Sequence, residues 1–314
     1  MSHVKSTNNR TLIVAIFVDD IFLFGNDCRE KKKLKTDLTN KFKIKALGNA
    51  RHVLGIRVRR EKDEIRLDQS NYISYVLEKF GMTDCKPSLI GCLMYIAINT
   101  RPDIAHAASF LSQFNSCYSE EHVKSAKRVL RYLKGTINEC LFFKKPDKEE
   151  TNPVINDYVD ADWGNDVSDR RSYTGYAFKL GKNLVSWESR KQQCVALSST
   201  EAEYIGLASG AKEGIYLRNL INELYGKLVP VTLHNDNQSA QRLASHKIFH
   251  PRTKHIDVRH HYIREVTETG AIKLEYLSTN EMVADILTKP LHGPKTKLLR
   301  KELFVFKGLN LAFK

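Results

Sequence analysis

Residues 153–160 read PVINDYVD, an apolar strand that follows a proline and ends on Asp160. From there the chain shows the order strand, strand, strand, helix, strand, helix, strand, helix. That order predicts a mixed α/β layer fold. A second short strand of the same form, PVTLHND over residues 230–236, ends on Asp236. In an open α/β sheet, ligands gather beyond the carboxyl ends of the strands. Asp160 and Asp236 can therefore meet if their strands are parallel neighbours.

Two more acidic residues fall at element ends. Glu203 lies in the first turn of the long helix SSTEAEYIGLASGAKEGIYLRNLINELYG, residues 198–226. Its structural alternative is a capping-box partner for Thr200, but Ser198 and Glu201 offer a box of the same form. Asp285, in TNEMVADILTKPL, sits beside Val283, Ala284, Ile286 and Leu287. It is either a helix-surface residue or one directed at a shared site. Three or four converging carboxylates can hold two divalent cations about 4 Å apart, clamping both the attacking and the leaving oxygen of a phosphodiester. Mg2+ suits hard oxygen ligands best, with Mn2+ as the alternative.

Upstream, residues 144–153, KKPDKEETNP, lose all hydrophobicity and contain two prolines, which marks a domain boundary. The expected units are 1–145, 150–292 and a basic C-terminal tail, 293–314. Within the first unit, residues 13–24, IVAIFVDDIFLF, read as two buried strands joined at Asp19 and Asp20. Carboxylates between such apolar flanks would be partly desolvated and mutually repelling, a state that a cation relieves. Residues 30–45 predict a charged helix with Leu34, Leu38 and Phe42 at four-residue spacing. Residues 53–69 predict a hairpin around the turn EKDE that exposes Arg57, Arg59, Arg60 and Arg66, and residues 72–81 a short helix closed by Gly81. Residues 119–135, SEEHVKSAKRVLRYLKG, form a helix capped by Ser119 and ended by Gly135. Val123, Ala126, Leu130 and Leu133 line one face, and Lys124, Lys127, Arg128, Arg131 and Lys134 crowd the rest. This basic surface is either a solvated helix face or one that tracks phosphates.

The bulk composition fits these elements. With 314 residues, 42% hydrophobic and 27% charged, the chain can bury two globular cores. No apolar run reaches the roughly 20 residues of a membrane span and no signal pattern opens the chain, so a membrane partner is not expected and the location is expected to be intracellular. The six cysteines (28, 85, 92, 117, 140 and 194) show no paired spacing and read as reduced thiols. His250, His255, His260 and His261 cluster without the spacing of a zinc site. The net charge is +14, of which residues 1–150 carry +9 and residues 151–314 carry +5. A basic surplus in both halves favours a polyanionic partner, foremost nucleic acid.

At this point the motifs form a known series. YVDADWGNDVSDRRSYTGYAF, VSWESRKQQCVALSSTEAEY, HNDNQSA, HPRTKHIDVRHHYIRE and NEMVADILTKPL, in that order, resemble the ribonuclease H domain of copia-type LTR retrotransposon Pol polyproteins. FVDDIFLFGND resembles the polymerase Y-x-D-D hairpin of the same polyproteins. LGNARHVLGIRVRR, KFGMTDCKP, SLIGCLMYIAINTRPDIAHAASFLSQF and AKRVLRYLKGT follow as in the end of their reverse transcriptase. The resemblance implies a ribonuclease H-like mixed five-stranded sheet with flanking helices, preceded by an incomplete α+β palm and connection. It implies Asp160, Glu203, Asp236 and Asp285 as metal-binding carboxylates that hydrolyse the RNA strand of an RNA/DNA hybrid, and Asp19 and Asp20 as part of a polymerase metal site. The implied partners are that hybrid and other Pol products, and the implied location is the cytoplasm, in the family's virus-like particles, or the nucleus. Integrases and transposases share the fold, but their carboxylates come in the order D, D, E, against D, E, D, D here.

The chain also departs from the family. Phe17 replaces the usual tyrosine, and Met1 lies only eighteen residues before Asp19, which would leave out the strand bearing the third polymerase aspartate. Polymerase activity is therefore predicted absent. The segment at residues 86–91 looks shortened, and IKLEYLST turns at once into NEMVAD, leaving no room for the histidine-bearing loop of many cellular ribonucleases H. The alternative function is a catalytically silent nucleic-acid-binding remnant.

Overall fold

The computed structural model of the protein describes residues 2–7, 10–80, 87–146, 154–245 and 257–304. The chain opens with strands β1 (Ser2–Thr7), β2 (Arg10–Phe17) and β3 (Asp20–Gly25), which form a three-stranded antiparallel sheet. The β2–β3 register pairs Phe17 with Asp20, so the loop between them is Val18 and Asp19 alone. Val18 takes φ +49°, a left-handed conformation costly for a β-branched residue. The expectation of two buried strands is overturned. Phe17 is 54% and Val18 81% exposed, Asp19 and Asp20 are exposed as well, and Leu12 is the buried hydrophobic residue of β2. No second layer covers the end of this hairpin among the described residues, and both aspartates face solvent.

Helix α1 (Cys28–Lys41) starts two residues before the expected segment because the Asp27 carboxylate accepts from the amides of Arg29 and Glu30. Strands β4 (His52–Val53), β5 (Ile56–Arg60) and β6 (Glu64–Asp68) follow, then helices α2 (Ser70–Lys79), α3 (Pro87–Asn99), α4 (Ala105–Ser112) and α5 (Glu120–Gly135). Gly81, expected to close α2, lies outside the described residues. Strand β7 (Leu141–Lys144) returns to β6 and completes a four-stranded sheet. The α5 cap is as expected in place: the Ser119 amide donates to His122 Nδ1 at 2.9 Å, and Ala126, Leu130 and Leu133 are buried.

The second half contains β8 (Ile155–Ala161), β9 (Tyr173–Leu180), β10 (Asn183–Lys191), α6 (Ser199–Tyr225), β11 (Val231–Asn235), α7 (Gln238–Ser245), α8 (Asp257–Glu268), β12 (Ile272–Tyr276) and α9 (Asp285–Thr288). The described order has one more helix than the sequence pattern implied, because α7 and α8 are separate. The mixed five-stranded sheet is present, in the order β10-β9-β8-β11-β12. Strands β8, β9 and β10 are antiparallel, whereas β11 runs parallel to both β8 and β12.

Alternation along the strands sends residues to two faces. Ile155, Val159, Tyr176, Phe178, Val231 and Leu233 pack against α6, α7 and α8. Gly206, Gly210 and Gly214 recur at every fourth residue along α6, so they share one face, and a methyl group at Gly210 would lie 2.7 Å from Val159 Cγ2. This stripe lets the helix backbone approach the sheet closely. On the opposite face, Ala177 and Leu184 join Val283, Ile286 and Leu287 in one cluster with Leu93 and Ile96 of α3, Ala108 and Leu111 of α4, and Leu130 and Leu133 of α5. The helices of the first half thus form the second layer over the sheet. Polar bonds cross the same contact: Trp187 Nε1 donates to the Ala97 carbonyl at 2.9 Å, and Lys191 Nζ to Gln113 Oε1 at 2.7 Å.

The segment expected as a basic tail is also built into this layer. Residues Gly293–Phe304 form helix α10, and Leu299, Leu303 and Phe304 are buried. Arg300 donates to Tyr132 Oη at 3.1 Å and lies 3.5 Å from Glu139 on the segment after α5. The basic residues of 293–304 mask an apolar periodicity that has a partner only in the folded chain.

Candidate metal centre

The site sits at the carboxyl end of the parallel pair β8 and β11. Asp160 is the penultimate residue of β8 and Asp236 directly follows β11. Because the two strands are adjacent and parallel in register, the chain delivers both aspartates to the same edge of the sheet. Glu203 arrives from α6, held close to β8 by the glycine stripe. Ser198 caps that helix by accepting from the Glu201 amide at 3.2 Å, and Glu201 in turn accepts from the Leu197 amide at 2.8 Å. Glu203 is therefore released from the capping role. One carboxylate oxygen from each of Asp160, Glu203 and Asp236 lies within 4.8 Å of the others.

Each of the three is held by a neighbour that sequence reasoning did not single out. Asn235 Nδ2 donates to Glu203 Oε2 at 2.9 Å and to the Val159 carbonyl at 3.1 Å, so one buried amide ties the helix carboxylate to both strands. The Thr288 hydroxyl donates to Asp160 Oδ2. The Thr279 hydroxyl donates to Asp236 Oδ2 at 2.6 Å. Asn235 is adjacent to Asp236, and Thr288 stands three residues after Asp285. Their nearness in sequence to expected ligands was the available signal.

The electrostatics are those of a desolvated anion cluster. Burial pushes the Asp160 carboxyl up to about 6, and the charges of Asp285 and Asp236 add to the rise, while Lys289 and Thr288 oppose it. Burial also drives Glu203 well above the ordinary carboxylate range, with Asp160 and Asp236 adding repulsion against the partial relief from Asn235. A divalent cation removes this penalty by neutralising the carboxylates together. Three oxygen donors with no sulfur or imidazole among them fit Mg2+ or Mn2+ rather than a softer ion.

Asp285 differs from the other three. It is fully buried on the first turn of α9, next to the cluster, but its oxygens are engaged by ammonium groups: Lys289 Nζ at 2.7 Å from Oδ1 and Lys295 Nζ at 2.5 Å from Oδ2. Lys289 also lies 3.4 Å from Asp160 Oδ2. The second aspartate of DADW, Asp162, has a structural role, accepting from the Tyr173 amide.

The remaining sequence candidates lie elsewhere. Asp19 and Asp20 stand at the exposed tip of the β2–β3 hairpin. Arg57 and Arg59 both pair with buried Asp68, at 2.9 Å each, and Arg60 donates to the Ala50 carbonyl at 2.5 Å. Burial opposes ionisation of Asp68, but Arg57, Ser70 and Arg59 outweigh it and hold the carboxyl below its ordinary range. One of the positive charges on β5 is thereby neutralised internally. A concavity of about 410 Å³ lined by Arg51, His52, Arg57, Arg59 and Arg60 opens beside them. On α5, Lys124, Arg128, Arg131 and Lys134 are exposed and Lys127 is half-buried, with Lys124 paired to Glu121 at 2.8 Å. His250 and His255 lie outside the described residues.

Comparison with known proteins gives the site its context. A family model described as reverse transcriptase (RNA-dependent DNA polymerase) matches residues 2–94. The retrovirus-related Pol polyprotein from transposon TNT 1-94 of Nicotiana tabacum is 37% identical over 331 residues, covering 95% of this chain and 24% of that protein. The Pol polyprotein from transposon RE1 of Arabidopsis thaliana is 35% identical over 303 residues, covering 88% of this chain and 20% of that protein. The chain spans a quarter or less of the length of these curated relatives. Among solved structures, the N-terminal RNase H domain of a Mycobacterium tuberculosis protein, fused to maltose-binding protein, covers 48% of this chain and 98% of its own. Its identity is 13% and its TM-score 0.34.

Proposed function

The chain belongs to the copia-type retrotransposon Pol polyproteins, and from that premise we propose that its second half is a metal-dependent ribonuclease H. The substrate in this reading is an RNA/DNA hybrid, and the reaction is hydrolysis of a phosphodiester in the RNA strand. The observation that carries it is the convergence of Asp160, Glu203 and Asp236, from two parallel strand ends and one helix, within 4.8 Å. When bound there, Mg2+ or Mn2+ would supply Lewis acidity toward a phosphoryl oxygen and an activated water.

The chain's own residues do the positioning. Asp160, Glu203 and Asp236 would hold the ion. Asn235 fixes Glu203, Thr288 fixes Asp160 and Thr279 fixes Asp236, so the donor set is oriented before the ion arrives. Burial of Asp160 and Glu203 excludes water from one side of the site, which strengthens electrostatic interactions there. The exposed basic face of α5 would contact the phosphate backbone. Asp19 and Asp20 are read as part of a polymerase metal site whose further ligands the described residues do not supply.

The test uses the whole chain with a labelled hybrid and Mg2+, comparing wild type with Asp236→Asn. Cleavage by the wild type that the variant loses supports the nuclease. Equal cleavage by both, or by neither, refutes it. A second reading, a silent nucleic-acid-binding remnant, draws on the engagement of Asp285 by two lysines and on the exposed cations of α5. It predicts salt-sensitive hybrid binding without cleavage.

A further inference from the structure

Lys289 occupies a specific place in the carboxylate cluster. It is the C-cap of α9, four residues after Asp285, with its amide donating to the Asp285 carbonyl at 3.2 Å. The short helix between them is fixed on the sheet by Ile286 and Leu287, both buried, and lies so close to β9 that a methyl group on Gly175 would stand 2.6 Å from Leu287 Cβ. The Lys289 ammonium is thereby placed between two carboxylates, 2.7 Å from Asp285 Oδ1 and 3.4 Å from Asp160 Oδ2. Lys295, from α10, takes the other oxygen of Asp285 at 2.5 Å. The three oxygens that approach within 4.8 Å of one another leave Asp285 out.

We propose that Lys289 is a built-in cation of this site. Its ammonium lies between the Asp160 and Asp285 carboxylates, so the chain would hold one divalent ion, with Asp160, Glu203 and Asp236 as the residues that hold it. The lysine supplies the second positive charge. This inference rests on the nuclease reading of the three-carboxylate cluster and replaces the two-ion form expected from four free carboxylates. The physical reason is mutual exclusion: an ion coordinated by Asp160 and Asp285 together would have to displace an ammonium that both already hold. The ammonium is also repelled by any cation placed between them. Lys295 reinforces the exclusion by engaging the carboxylate oxygen that Lys289 does not.

The experiment counts Mn2+ bound to the whole chain by electron paramagnetic resonance of the free ion, without substrate. Wild type is expected to bind one Mn2+, and Lys289→Arg, which keeps the charge, to match it. Lys289→Gln is expected to gain a second ion, at least about tenfold tighter than any second ion on wild type, and to lose it again when Asp285→Asn is added. An unchanged count and affinity in Lys289→Gln overturns the proposal. The wild-type count is a test that needs no variant to fold: two Mn2+ of similar affinity also overturn it. Asp236→Asn separates the two levels of inference. Loss of the first ion in that variant is expected, whereas its retention overturns the three-carboxylate site itself and the role of Lys289 with it.

Discussion

Replacing Asp157 by asparagine should stabilise the protein, and by more at higher pH. Asp157 lies on β8 facing α6, fully buried, with neither carboxylate oxygen in a well-formed hydrogen bond. Burial drives its carboxyl well above the ordinary range, the charge of Glu213 adds to this, and the nearby amides of Tyr158 and Ala177 offset only part. A raised folded pKa stabilises the fold fully below the unfolded value of about 3.9, and this contribution is lost as pH rises toward the folded value. While the folded carboxyl stays protonated and the unfolded one ionises, the loss is about 1.4 kcal/mol per pH unit. For as long as that holds, the wild type should fall further behind Asp157→Asn with each step up in pH. Asparagine is the right substitute because a methyl group at Gly210 would already lie 2.8 Å from Asp157 Oδ2, and a larger side chain would push α6 away. Urea unfolding of both proteins at several pH values between about 4 and 6.5 measures the difference directly. A stability difference that does not change with pH would show that Asp157 is not a buried neutral acid, and the reasoning would fail.

Gly210→Ala should cost about 1–3 kcal/mol, read from the urea midpoint, because its methyl group meets Val159 and Asp157 across the α6–sheet contact. The same displacement should weaken Mn2+ binding, since Glu203 rides on that helix; unaltered binding would count against the glycine stripe as its positioning device. Trp187→Phe removes the bond to the Ala97 carbonyl between the two halves and should lower stability by about 1 kcal/mol. Removing residues 1–145 should leave Ala177, Leu184 and Ile286 uncovered, so the remaining piece is expected to bind a hydrophobic dye and to aggregate. A well-folded, monomeric product would refute the shared layer. Val18→Gly should relieve the left-handed φ of +49° and slow amide exchange in β2 and β3, by an amount equivalent to about 1 kcal/mol.

Much of the second half was legible because its signals are local. A helix cap such as Ser198 is set by hydrogen bonds within one turn, as Ser119 is in the first half, and strand ends such as Asp160 and Asp236 by a change in hydropathy. The release of Glu203 from capping follows from a competing box four residues wide. The exposure of Asp19 and Asp20 was not legible. An apolar run predicts a buried strand only if a second layer covers it, and none does so at that hairpin end among the described residues.

What the sequence by itself determined is the set of chemical groups and the elements that carry them. Those elements are a mixed α/β half with carboxylates at strand ends, a basic helix with one apolar face, and a hairpin tipped by two aspartates. The tertiary structure decided which of those groups meet. Parallel pairing of β8 with β11 brought Asp160 to Asp236, and the glycine stripe brought Glu203 to both. Two lysines took up Asp285, and helices from the first half and the C-terminal segment became the second layer of the sheet. The reason is physical: a cap or an alternating strand is settled by contacts a few residues apart. The partner of a buried charge or an apolar face is chosen only when distant segments compete for the same small desolvated volume.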